Sequence, residues 1–356
     1  MQYVRRATSS AAAVVVAALA LGVAAAAETR QRGVAWVAGR DEVTAADFAP
    51  LLRNHVDWIA QTPFGWQEAV DSPEVRMATS GKVWWGESDA GLAATARLAR
   101  ERGIKTLLKP HLWLRQPQPG QWLDAVAMRS EADWHLWFAD YRAFLLHYAR
   151  LAEREGMEAL AVGTELHQAA VGREADWRRL ISEVRQVYRG RLTYCANWHR
   201  EYEEVRFWDA LDFIGVQAYF PVSAGPKPTV EELVEGWRAH LPAIERLARQ
   251  WGKPIVFTEI GYKSTPDGTV RPWEWPQRGA SPPADPETQA RAYEAFFRTF
   301  WHRPWFAGAY FWKWYPKARG DEARLAADFS PQGKPAEEVM ARWFGAAAGT
   351  AASPQR

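Results

Sequence analysis

Residues 252–264, GKPIVFTEIGYKS, run through an apolar stretch into Thr258 and Glu259 and bend at Gly261. The run has the length and β-branched content of a buried strand. Such a strand ending on a carboxylate brings an ionisable group to the edge of a core. Taken alone, the glutamate is a solvated exit residue; its meaning depends on how the other strands end. Seven further runs read as strands: 33–37, 57–62, 105–109, 159–163, 191–196, 213–218 and 307–312, with the quoted one at 254–258. Between and after them, helical patterns cover about 44–55, 89–102, 131–155, 174–189, 201–209, 229–250, 286–302 and 335–344. In the second of these, Leu92, Ala96 and Ala99 fall at helical spacing, and Gly103 follows as a C-terminal stop. Strands alternating with helices predict a parallel sheet, and eight such units predict a single α/β domain, a (β/α)8 TIM barrel. A doubly wound sheet would instead place a glycine-rich fingerprint after the first strand. The segment GVAWVAGRDE has none.

The 356 residues suffice for one large domain. A net charge of +2, without blocks of like charge, argues against nucleic acid and polyanions as partners. The 21 tryptophans exceed what a core of this size requires, and point to flat amphipathic faces on which a sugar ring can stack. Residues 1–27 carry Arg5 and Arg6, then an apolar run from Ala11, then small residues at Ala25 and Ala27. That order predicts a cleaved secretory signal and a secreted or periplasmic product with no stable membrane association. The barrel is expected over 28–345 and a disordered tail over 346–356. The single cysteine, Cys195, allows no internal disulfide. A monomer is expected.

Side chains at the C-terminal ends of barrel strands converge on one bowl. Here those positions hold Trp36, then Gln61 and Thr62, then Lys109, His111 and Trp113, then Glu165. The remaining strands end with Asn197 and Trp198, with Gln217 and Tyr219, with Glu259, and with Trp312 and Trp314. The Pro- and Trp-rich stretch 263–286 reads as a long loop on the same face. Glu165 and Glu259 end the fourth and seventh strands, across the mouth from one another. Cleavage of a glycosidic bond needs two such groups, one to protonate the leaving oxygen and one to act at the anomeric carbon; carboxyls about 5–5.5 Å apart give retention. Tyr219 is placed to donate to Glu259, and Trp312 to floor the subsite where the bond breaks. Lys109, His111 and Asn197 are candidates for sugar hydroxyls. Trp36, Trp113, Trp198, Trp273 and Trp275 are candidates for further subsites.

The motifs LLKPH, GTEL, TEIGY and DFSPQGKPAEEV, in that order at these barrel positions, resemble glycoside hydrolase family 113, the β-mannanase family, from about residue 33 to 344. The resemblance implies a cofactor-free retaining β-mannanase acting on mannan or glucomannan, with Glu165 as general acid/base and Glu259 as nucleophile. Where many members of the wider clan carry Asn before the acid/base, this chain has Thr164, so the clan's contact to the sugar 2-hydroxyl is not carried over. The eight histidines include no HxH and no HExxH, which argues against a metal centre. The alternatives are a β-glycosidase for another β-linked glycan, a Schiff-base lyase using Lys109, and a non-catalytic carbohydrate-binding barrel.

Overall fold

In the computed structural model, which describes residues 30–78, 83–275, 282–317 and 325–351, each expected strand forms within a few residues of its reading. They are β1 (Gln31–Trp36), β2 (Trp58–Gln61), β3 (Lys105–Leu108), β4 (Ala159–Thr164), β5 (Arg191–Asn197), β6 (Ile214–Gln217), β7 (Ile255–Ile260) and β8 (Phe306–Trp314). Every neighbouring pair is parallel, and β8 returns to β1, closing the barrel. The signal expected over 1–27 lies outside the described residues.

Inside the barrel, Trp58, Leu107, Phe213, Val256 and Tyr310 pack with the small Ala60 and Ala159. Tyr310 lies so close to β1 that a Cβ on Gly33 would sit 2.4 Å from its Cδ1. Glycine at 33 therefore makes room for the phenol, which donates to Gln31 Oε1 at 2.7 Å. Outside the barrel, Phe257 of β7 meets Phe296, Phe300, Phe306 and Trp237. Trp137, Trp177, Trp208, Trp237, Trp301 and Trp314 are fully buried, so packing absorbs a good share of the tryptophan excess.

The helices begin and end on local signals. Ser130 Oγ accepts from the Asp133 amide at the start of Glu131–Glu155, and Gly156 (φ 63°) ends it. A capping box of Thr229 and Glu232 starts Val230–Trp251. Gly252 (φ 59°) stops that helix and hands the chain to β7, so the first residue of the stretch quoted above is a helix terminator. The pattern read as one helix over 201–209 is two short turns, Glu201–Glu204 and Trp208–Ala210, separated by extended Val205. The last helix runs Pro335–Ala351. Residues 352–356 lie outside the described residues.

The rim holds a feature with no barrel counterpart. Pro63 and Pro110 follow β2 and β3 at neighbouring heights, where Lys109 N still donates to Gln61 O at 2.8 Å and His111 N to Pro63 O at 2.9 Å. A proline supplies no N–H to the ladder. Beyond the two prolines the chain leaves the barrel and re-pairs as a small sheet, in which Phe64–Gln67 lies between His111–Leu114 (parallel) and Arg76–Met77 (antiparallel). His111 and Trp113 thus belong to this rim sheet and not to β3.

Candidate active site

Glu165 follows β4 directly. Its amide donates to Cys195 O at 3.0 Å, extending the ladder by one step, and its own backbone turns into the left-handed region at φ 54°. A side chain at positive φ is uncommon and costs about 1 kcal/mol or more. Here it aims the carboxyl into the barrel mouth. Oε2 accepts from Trp122 Nε1 at 2.7 Å and Oε1 from Asn197 Nδ2 at 3.1 Å. Both donors are neutral. Burial pushes the carboxyl up to about 7; the Trp122 bond opposes the rise and the charge on Glu259 adds to it.

Glu259 meets the opposite environment. Its backbone O accepts from Ala218 N at 2.7 Å, fixing the strand end. Lys109 Nζ donates to Oε1, and the Tyr219 hydroxyl to Oε2 at 2.8 Å. A cation and a phenol on the two oxygens suit an anion. The Tyr219 phenol is itself driven well above its ordinary range by burial and by the Glu259 charge, so it keeps the proton it donates. Two facing carboxyls, one among neutral donors and one against a buried cation, are separated in role by their surroundings.

The remaining expected residues divide. Asn197 bonds Glu165 and Lys109 bonds Glu259. Lys109 is wholly buried against Glu259, so it offers no free amine to a carbonyl substrate, which removes the basis of the Schiff-base alternative. His111 lies over the bowl, and its Nδ1 donates to Leu112 O at 2.6 Å. Burial, then the Lys109 charge, pulls its imidazole down to about 4; it is neutral, with Nε2 left as an acceptor. Trp312 is half-buried, with the Lys109 ammonium 6.0 Å from its ring. Exposed Trp275 meets it edge-on at 6.4 Å. Trp198 stacks on Trp273 at 5.0 Å, and Trp113 is exposed beside Trp122. Trp36 is a correction: it is buried and stacked on Phe48 at 4.8 Å, because the turn Ala45–Phe48 folds back under β1 and takes up the ring. It serves the core and not a subsite. Among the described residues, no group of three or more His, Cys, Asp or Glu is arranged to hold a metal ion.

The sequence model of Glycoside Hydrolase Family 113 matches residues 35–334. The chain belongs to glycoside hydrolase family 113. The solved structure of the GH113 β-mannanase AaManA from Alicyclobacillus acidocaldarius, in complex with ManMIm, is 30% identical with a TM-score of 0.75, over 89% of this chain and 98% of that one. A GH113 β-1,4-mannanase complex is 26% identical with a TM-score of 0.75, over 89% and 99%. A Ruminococcus gnavus β-glucuronidase, 14% identical with a TM-score of 0.58 over 88% of this chain and 50% of its own, shares the fold. No curated protein sequence matches. As a family 113 member the chain is a glycoside hydrolase, and its substrate is a glycan.

Three residues of this candidate site were not anticipated. Trp122 sits in a loop, QPQPGQW, whose position no periodicity reveals. Glu201 and Tyr194 lie beneath Glu165. Glu201 is fully buried; its Oε1 accepts from the Tyr194 hydroxyl at 2.5 Å and its Oε2 from the Asn197 amide at 2.6 Å. The same Tyr194 oxygen accepts from Leu166 N at 2.8 Å. Glu201 therefore ties together the amide that follows Glu165 and the residue that bonds it. Burial pushes the Glu201 carboxyl up to about 8, against the pull of its two hydrogen bonds. In sequence, HREYEE looks like a solvated acidic turn. Removing this acceptor strands the buried Tyr194 hydroxyl, at about 1–3 kcal/mol, and the part-buried Asn197 amide. Glu201→Ala is expected to lower kcat by roughly tenfold or more with little change in KM, and Glu201→Gln, which keeps one acceptor, to recover part of it. Steady-state kinetics of the two variants, each checked for an intact Tm, test this; a pure KM effect would contradict it.

Proposed function

We propose that this enzyme is a retaining endo-β-1,4-mannanase that cleaves mannan or glucomannan by double displacement. The observation that carries the reading is the unlike pair: Glu165 among neutral donors and pushed up to about 7, and Glu259 held by Lys109 and Tyr219. Likeness to two mannanases of the same family supports the sugar. In the first step a Glu259 oxygen attacks the anomeric carbon while protonated Glu165 gives its proton to the departing glycosidic oxygen. The new ester consumes the negative charge that Lys109 and Tyr219 had faced. In the second step, Glu165, now ionised, takes a proton from water; the water oxygen replaces Glu259 at the anomeric carbon, and two inversions leave net retention. Trp312 offers the ring on which the reacting sugar lies, and Trp113, Trp198, Trp273 and Trp275 flank it. Export under the signal at 1–27 suits an enzyme whose substrate is an extracellular polymer.

Purified enzyme assayed on mannan, glucomannan, cellulose and xylan in parallel tests the sugar. The expected result is release of oligosaccharides from the first two. Hydrolysis confined to cellulose or xylan would reassign the enzyme to another β-linked glycan, and binding without hydrolysis would make it a carbohydrate-binding barrel.

A further inference from the structure

Beyond His111 and Trp113, the rim sheet carries side chains that the reaction at Glu165 and Glu259 does not use. Its register pairs Phe64 with His111 and Trp66 with Trp113. Since strand side chains alternate, these four rings share one face. The opposite face is the buried one: Gln67 Oε1 there accepts from Trp137 Nε1, and Gly65 lies against Phe144.

On the open face the rings form a track. Trp122, bonded to Glu165, meets His111 at 6.4 Å and Trp113 at 5.8 Å, and Trp113 meets Phe64 at 6.1 Å. Two residues further along the strand, roughly 7 Å, stands half-buried Trp66, with the Arg115 guanidinium 5.5 Å above its ring. Trp66 and Arg115 open into a cavity of about 370 Å³, also lined by Glu68, Glu74 and Arg76. That volume falls in the range of small-molecule sites, about 300–1,000 Å³.

The lining describes its ligand. Two acids face two bases, and Arg76 pairs with Glu74 while Gln116 donates to Glu68, so the cavity carries no net charge. Among the described residues Arg115 has no acid partner, and its N–H donors are available. An indole capped on one side by a guanidinium, in a cavity without net charge, fits the apolar face and hydroxyls of a neutral sugar. We infer that Trp66 and Arg115 form a distal glycan subsite, joined to the reaction centre by the Trp122–Trp113–Phe64 track and occupied only by the longer chains. This rests on the glycan-cleaving reading above. It makes the enzyme's efficiency depend on substrate length.

The test uses the intact enzyme and reducing-end-labelled linear β-1,4-manno-oligosaccharides from disaccharide to hexasaccharide. For Trp66→Ala, kcat/KM on the hexasaccharide is expected to fall about tenfold, the worth of one stacking platform, with a loss that shrinks as the chain shortens. The main cleavage position on the hexasaccharide should move, and Trp66→Phe should restore most of both. Arg115→Ala, on an exposed side chain that leaves the fold intact, should show the same length dependence. Equal losses at every length would make Trp66 a structural residue and overturn the subsite, as would no loss in either variant. Wild-type cleavage of the ladder without these length effects defeats the subsite alone; wild-type inactivity on the whole ladder defeats the mannan reading and the subsite with it.

Discussion

Glu259→Gln is expected to lower kcat/KM by about 10⁴-fold or more, with Tyr219 and the barrel still in place. Glutamine keeps the shape and can still accept from the Tyr219 hydroxyl. It cannot form the glycosyl ester through a carboxylate oxygen, so no second path exists for the anomeric centre. The substitution has a second cost. Lys109 is fully buried and faces Glu259 as its carboxylate partner. A buried cation deprived of its anion destabilises a protein by about 3–5 kcal/mol. The variant should therefore melt earlier as well as fail to turn over, and the two effects are measured separately, by thermal unfolding and by hydrolysis at a temperature where it remains folded. Undiminished hydrolysis by folded Glu259→Gln would sink the nucleophile assignment.

Glu165→Ala should lose about 10²–10⁴ in kcat on natural glycans, the usual worth of a positioned acid and base. On an aryl glycoside with a good leaving group the first displacement needs no proton, so that step should survive. The ester should then accumulate as a burst. Added azide, which needs no general base, should restore turnover and yield a glycosyl azide of retained configuration. Failure of rescue with the fold intact would count against Glu165. The pH profile carries the same assignment. Burial raises this carboxyl to about 7, so it holds its proton below that pH and loses it above. Wild-type kcat/KM should accordingly fall on the alkaline side with a midpoint near 7. For Glu165→Ala with azide and the activated substrate, that limb should vanish, whereas a limb that persists would belong to another group.

Much of the site was legible because strand ends are legible. An apolar run bounded by turn residues locates a strand, and barrel closure then places its last residue on one rim whatever the loops do. Glu165, Glu259, Tyr219 and Asn197 all sit at such ends, and all of them meet in the bowl. Trp36 fits the same pattern and yet belongs to the core, because a turn of the next segment folds Phe48 against it. Lys109, expected at the mouth, has the Glu259 carboxylate as its partner, a pairing across the barrel that strand ends alone do not reveal. Trp122 and Glu201 stand in a loop and a short turn, with no period to place them, and their importance comes from contacts across 43 residues in one case and 7 and 4 in the other.

By itself the sequence determined the barrel, the order of its elements and the two carboxylates that face each other, since these depend on hydrophobic period and on residues adjacent along the chain. Only the tertiary structure decided which carboxyl is raised and which is paired. Desolvation and charge act through space, and the donors that distinguish Glu165 from Glu259 come from other loops and strands. The change at Pro63 and Pro110 from barrel to rim sheet belongs to the second class as well: a proline removes one hydrogen bond locally, but where the freed strands pair next is settled by what lies within reach in the folded chain.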